Sequence, residues 1–253
     1  MHDLSGRICL ITGASSGIGA HFARLFARHG AAVILGARRR DRIETLAEEI
    51  AASGGRALPV SLDVVDEESL AAALDQAAAA IGPVDTVIAN AGISAPGRST
   101  DMALDTIRSV FDTNLLGTYL TARESAKRMI AADSRSSGRG RILLIGSITA
   151  MQTGHGESAY AASKAAVAHL GRNLAREWVR QGINVNVIQP GYIQTELARD
   201  WFQSEEGKAQ IAGFNRRRLQ PIESLDDMAL YLCSDASEHM TGAVITIDDG
   251  QSA

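Results

Sequence analysis

The feature that most constrains this chain is a repeated switch between two hydrophobic periods. Short runs rich in Val, Ile and Leu occupy residues 7–12, 32–36, 57–61, 86–90, 141–147, 184–189 and 243–247. Windows with helical spacing lie between them, at 21–29, 41–53, 67–81, 106–131, 159–181 and 224–234. A strand that is apolar on both faces must be covered on both faces, which is the condition of a parallel sheet flanked by helices. Parallel neighbours also need a crossover, and a helix supplies it. The order predicts an α/β fold, a single doubly wound domain over residues 1–253 with a seven-stranded parallel sheet and helices on both faces. The polar piece 133–140 reads as an exposed loop.

A chain of 253 residues with 45% hydrophobic and 21% charged residues is long enough to close such a core. A net charge of −4 argues against a nucleic-acid binder, and no stretch approaches the ~18 apolar residues of a membrane span. Cys9 and Cys233 are too few for a disulfide framework or a metal site. Cys9, inside an apolar run, reads as a buried thiol in a reducing compartment. The start of the chain has no apolar signal core, so the cytoplasm is the expected location.

The first run passes into Thr12-Gly13-Ala14-Ser15-Ser16-Gly17-Ile18-Gly19 and then a helix. Glycines between a strand and a helix permit a tight turn and a close backbone approach to a pyrophosphate, held by the free N–H groups of the helix start. The spacing Gly-x-x-x-Gly-x-Gly departs from the commoner dinucleotide fingerprint, and a plain tight turn is the alternative. At the tip of the second strand an acidic residue would select NAD by binding the ribose. Ala37 stands there, followed by Arg38 and Arg39, whose guanidinium groups suit a 2′-phosphate. The reading is therefore NADP(H) in preference to NAD(H). Asp63-Val64 and Asn90-Ala91-Gly92 follow the third and fourth strands, at the carboxyl ends where open α/β sheets bind ligands.

Tyr160 and Lys164 are four residues apart in a helical run, which stacks them on one face. An ammonium near a phenol favours the phenolate, so the tyrosine pKa is expected to fall from about 10 toward neutrality. Such a phenol can exchange a proton with a carbonyl or an alcohol. Ser147, at the end of the fifth run, can hydrogen-bond a substrate oxygen or merely close a turn. Asn114 sits mid-helix, where it is a poor helix former. It is either solvated there or opens the helix and exposes a carbonyl to water.

Taken together these pieces resemble the short-chain dehydrogenase/reductase family over nearly the whole chain. The matching residues are Thr12–Gly19, Asp63, Asn90-Ala91-Gly92, Asn114, Ser147, Tyr160-x-x-x-Lys164, and Pro190-Gly191 followed by Thr195. The resemblance implies a Rossmann-like fold and a catalytic tetrad of Asn114, Ser147, Tyr160 and Lys164. Tyr160 would be the general acid/base, Ser147 would polarise the substrate oxygen, and Lys164 would lower the tyrosine pKa and hold the nicotinamide ribose. Asn114 would anchor a water. Gly13, Ser15, Ser16 and Ile18 would line the pyrophosphate and ribose site, Asp63 and Val64 the adenine, and Asn90 the ribose. Ile193 and Thr195 would fix the carboxamide. The implied activity is the NADP-dependent interconversion of a ketone and a secondary alcohol in a homotetramer.

Departures narrow this. Ala89 stands before Asn90 where many members carry a second Asn, and the tail reads Asp248-Asp249-Gly250-Gln251 where many read Asp-Gly-Gly. Relatives that reduce 3-oxoacyl groups on acyl carrier protein carry basic residues where this chain has Gly138 and Gln181, with Arg139 and Arg180 as neighbours. A non-enzymatic dinucleotide sensor is the alternative from another class, but such proteins usually lose the tyrosine or lysine. The family's substrate lid corresponds to residues 192–220, which hold Tyr192, Leu197, Trp201, Phe202 and Phe214 in a chain only 4% aromatic. They suit an apolar or ring-bearing substrate, or simply pack lid helices on the core.

Overall fold

The computed structural model describes residues 2–196 and 199–253; Leu197 lies outside the described residues. Seven strands, β1 (Ile8–Thr12), β2 (Ala32–Ala37), β3 (Arg56–Ser61), β4 (Thr86–Ala89), β5 (Gly140–Ile145), β6 (Ile183–Pro190) and β7 (Val244–Ile247), form one sheet in the order β3-β2-β1-β4-β5-β6-β7. Every pairing is parallel. The order reverses between β1 and β4, and ligand crevices of doubly wound sheets open at that point.

Alternation along the strands explains the two cores. Cys9 and Ile11 of β1, with Val33 and Leu35 of β2, face α1 (Gly17–Arg28), α2 (Arg40–Ala52) and α10 (Asp226–Cys233). Leu10 and Ile34 face the opposite way, toward α3 (Glu67–Ala80), α5 (Gly117–Ala131) and α7 (Ser158–Trp178). Phe22 and Phe26 fill the first layer, one helical turn apart and fully buried. Cys9 and Cys233 are free, buried thiols, as the composition suggested.

Two local features differ from the sequence expectation. The piece 133–140 contains a short helix, α6 (Ser134–Ser137), rather than only a loop. Ser134 is buried because its Oγ donates to the Gln181 carbonyl at 2.7 Å, which ties the segment to the end of α7. The window 106–131 is two helices, α4 (Leu104–Phe111) and α5, separated by a π-helical turn at Asp112–Leu116 that contains Asn114. Between β6 and α10, the chain forms two short helices, α8 (Arg199–Gln203) and α9 (Glu205–Gly213). Among the described residues, no helix is long and apolar enough to cross a membrane.

The candidate active site

The β1–α1 turn is shaped by sterics. Gly13 has φ +68°, and a Cβ there would stand 2.9 Å from Ala91 Cα. A Cβ on Gly19 would collide with the Gly13 carbonyl oxygen. Asn90 braces the turn from β4: its Nδ2 donates to the Thr12 carbonyl at 2.9 Å, while its N–H donates to Thr12 Oγ1 at 3.1 Å. Ser16 precedes α1 without capping it, and no acidic residue occupies the first turn. The helix start therefore keeps free N–H donors and its positive dipole end for an anion. Gly13, Ser15, Ser16, Gly17 and Ile18 line one end of a cavity of about 620 Å³.

Ala37, Arg38, Arg39, Asp63 and Val64 line the same cavity beside β2 and β3. Arg39 is the more enclosed of the two arginines, its side chain 43% exposed against 72% for Arg38. Among the described residues, Arg38 reaches only Asp63, at 3.9 Å. Arg39 folds back over the turn and donates to Ser16 Oγ at 2.7 Å and Ser15 Oγ at 3.0 Å, with Glu196 at 3.1 Å on its other side. Arg42 completes this cluster by pairing with Glu196 at 2.7 Å.

At the other end the four implied catalytic residues come together from separate elements. Ser147 lies two residues past β5, where its Oγ accepts from the Thr149 N–H at 3.2 Å and is bonded to Thr149 Oγ1 at 3.0 Å. Tyr160 and Lys164 share one face of α7, with Lys164 Nζ 5.7 Å from the Tyr160 ring centre. Asn114 is fully buried. Its Oδ1 accepts from the Ile93 N–H at 2.8 Å, and its Nδ2 donates to the Ile93 carbonyl at 2.9 Å and to Ser163 Oγ at 3.1 Å. Ser163 Oγ in turn donates to the Tyr160 carbonyl at 2.6 Å. Asn114 is thus neither solvated nor a propensity accident. It sits in a π turn because its amide is needed by β4's exit and by α7. Its own carbonyl accepts from Thr118 Oγ1 at 2.7 Å, so one of its two lone pairs is already used.

The expected fall in the tyrosine pKa is not what the chain's own groups produce. Burial pushes the Tyr160 phenol up to about 12, with Glu157 adding to the rise and the Ser147 hydrogen bond opposing it. Lys164 Nζ donates to the Ile145 carbonyl at 2.8 Å and, among the described residues, makes no hydrogen bond to the phenol. Burial also lowers Lys164 itself to about 8. Spacing put the two side chains on one face. It did not reveal that a strand carbonyl would accept a hydrogen bond from the ammonium.

Three residues in or behind the lining carried no role in the sequence reading. Thr149 orients Ser147. Glu157, one turn before Tyr160, lines the cavity beside Tyr192 and Phe202. Ser163 joins Asn114 to α7. Glu157 opens the same octapeptide that holds Tyr160 and Lys164, so its position was legible while its orientation was not. Ile193 and Thr195 line the cavity as expected, Ile193 in a bridge to Gln220.

Comparison with known proteins identifies the family. The family model for short chain dehydrogenases matches residues 7–206, and the protein belongs to the short-chain dehydrogenase/reductase family. It is 38% identical to the oxidoreductase UcpA of Salmonella typhimurium, over 99% of this chain and 96% of that one. It is 36% identical to the cis-4-hydroxycyclohexanecarboxylate dehydrogenase of Sinomonas cyclohexanicum, covering 98% of this chain and 97% of the relative. A solved gluconate 5-dehydrogenase from Burkholderia cenocepacia, in complex with NADP and tartrate, superposes with a TM-score of 0.92 at 31% identity, over 99% of this chain and 96% of that one. The chain is thus an oxidoreductase of a family that acts on CH–OH donors with nicotinamide dinucleotides.

Proposed function

We propose that this protein is a single-domain, NADP-dependent oxidoreductase interconverting a ketone and a secondary alcohol, with Tyr160 as the general acid/base. The observation that carries the reading is that Ser147, Tyr160 and Lys164 line one end of a cavity whose other end is the glycine turn. The residues fit a dinucleotide: the uncapped start of α1 suits a pyrophosphate, and Arg38 and Arg39 suit a 2′-phosphate. Gly13, Ser15, Ser16 and Ile18 would hold the pyrophosphate and ribose, Asp63 and Val64 the adenine, Asn90 a ribose, and Ile193 and Thr195 the carboxamide. Bound there, the cofactor supplies the hydride donor or acceptor. Ser147 Oγ and the Tyr160 hydroxyl hold the substrate oxygen. In reduction, the neutral phenol gives its proton to the oxygen as charge develops on it. Lys164 holds positive charge close to that oxygen and a ribose hydroxyl, and the second lone pair of the Asn114 carbonyl can take a water.

Segment 192–220 is read as the substrate lid. Tyr192 stacks on Phe214 with ring centres 5.5 Å apart and meets Phe202 edge-on at 5.9 Å, so the three rings pack the segment while Tyr192 and Phe202 also wall the cavity. A ketone and secondary-alcohol panel that includes hydroxycyclohexane compounds, read by NAD(P)H absorbance with each cofactor, tests the function. Consumption of NADPH with a ketone supports it. No turnover with any member, in a protein that binds NADPH, refutes it and favours the dinucleotide-sensing role.

A further inference from the structure

Resting on the oxidoreductase reading, we infer that Glu157 sets the substrate's charge class. It admits a neutral ring-bearing alcohol or ketone with a second hydroxyl away from the reacting carbon, and excludes the carboxylate analogue.

Glu157 precedes α7 at the N-cap position, yet its side chain does not cap the helix. It turns to the cavity, on the same helical face as Tyr160 one turn later. Its one side-chain partner there is the Tyr192 hydroxyl, which donates to Oε2 at a long 3.3 Å. Space is kept for the carboxylate on the other side: a Cβ on Gly154 would lie 2.6 Å from the same oxygen. No side-chain cation is bonded to Glu157 among the described residues, although arginines crowd the cofactor end. A half-buried carboxylate with one weak hydrogen bond retains acceptor capacity; burial raises its pKa, and in the ionised form its negative charge is desolvated enough to matter. A substrate hydroxyl can donate to it. A substrate carboxylate cannot, and meets a like charge in a confined space. Ile93, Ile148, Tyr192 and Phe202 are the apolar and aromatic part of the lining and suit the body of a ring, beside the polar Ser94 and Thr149.

The test is a matched pair, cis-4-(hydroxymethyl)cyclohexanol and cis-4-hydroxycyclohexanecarboxylate, which share a ring and a reacting alcohol and differ only in the remote group. The wild type should favour the neutral compound in kcat/KM by about 10- to 100-fold, the usual worth of one hydrogen bond to a charged group. Glu157→Gln should compress that ratio at least about tenfold, chiefly by raising kcat/KM for the carboxylate. Tyr192→Phe keeps the stacked ring and frees the acceptor the phenol occupied, but it also removes the hydrogen bond that lowers the Glu157 pKa. The comparison is therefore made at mildly alkaline pH, where the carboxylate is ionised, and there the variant's ratio should match or exceed the wild type's. A wild-type preference for the carboxylate overturns the inference. So does a ratio that Glu157→Gln leaves unchanged, or one that Tyr192→Phe collapses as far, which would assign the effect to packing of segment 192–220. Turnover of neither compound by a protein active on another ketone also overturns it, while no turnover of any panel member counts against the oxidoreductase reading itself.

Discussion

Replacing Lys164 by Met should separate stability from activity and do so with a pH-dependent sign. Lys164 is 4% exposed, and burial lowers its pKa from 10.5 to about 8. The unfolded chain holds the lysine proton up to about pH 10.5, whereas the folded one releases it above about pH 8. Stability therefore rises with pH across that window, and below it the fold carries the full cost of a buried ammonium. At ~1.36 kcal/mol per unit, the shift corresponds to roughly 3 kcal/mol at pH 7. Met has a similar length and no charge, so it removes this cost. It also deprives the Ile145 carbonyl of its donor, which costs about 1–3 kcal/mol. The net expectation at pH 7 is a variant more stable by about 1 kcal/mol, or a Tm higher by about 2–4 °C. Near pH 10.5 the charge contribution is gone and only the lost hydrogen bond remains, so the variant becomes the less stable protein. The assay is thermal unfolding of both proteins from pH 6.5 to 10.5, with turnover and NADPH affinity measured alongside. Both of the latter should fall. A variant less stable than the wild type at pH 7, or a stability difference that does not change with pH, refutes the reasoning.

Tyr160→Phe should lower kcat by ~10²-fold or more while leaving NADPH affinity nearly intact, measured by steady-state kinetics and cofactor fluorescence. Because the chain's own groups hold the phenol near 12, alcohol oxidation by the wild type should climb from pH 7 to 10 as phenolate accumulates, while reduction is favoured at neutral pH; a flat oxidation profile contradicts this. Arg39→Gln should erode the kcat/KM preference for NADP more than Arg38→Gln does, since Arg38 is 72% exposed and faces Asp63; Ala37→Asp with Arg38→Gln should swing preference toward NAD. Light scattering should report a homotetramer, because Leu104, Leu116, Tyr119 and Ile130 leave large apolar surface exposed on and between α4 and α5; a stable monomer at micromolar concentration removes this claim.

The Arg39–Glu196–Arg42 cluster gives the cofactor end a further property. Glu196 belongs to segment 192–220, and Arg39 bonds both Glu196 and the serines of the β1–α1 turn. A phosphate drawn to Arg39 would compete with that carboxylate. Choice of cofactor and position of the segment are then linked, which is a reason to measure segment mobility with each dinucleotide.

The sequence by itself determined what depends on local pattern. Two-sided apolar runs required a parallel sheet with helices on both faces, and the strands fall within a residue or two of those runs. Glycines at turn positions and Tyr160 and Lys164 at helical spacing were equally legible, because sterics and helix geometry act over a few residues. Tertiary structure decided everything that depends on a partner distant in the chain. Asn114 was an anomaly until Ile93 and Ser163 came to meet it. Lys164 looked like the partner of Tyr160, yet its hydrogen bond goes to the Ile145 carbonyl. The unusual tail proved to be a tie: Asp249 adopts the left-handed conformation at φ 57° and pairs with Arg218 at 2.8 Å, while Gln251 Oε1 accepts from the Tyr192 N–H at 2.6 Å. Where a side chain finds its hydrogen bond, and how much water it loses, are set by groups tens of residues away, and these also set the pKa values on which the chemistry turns.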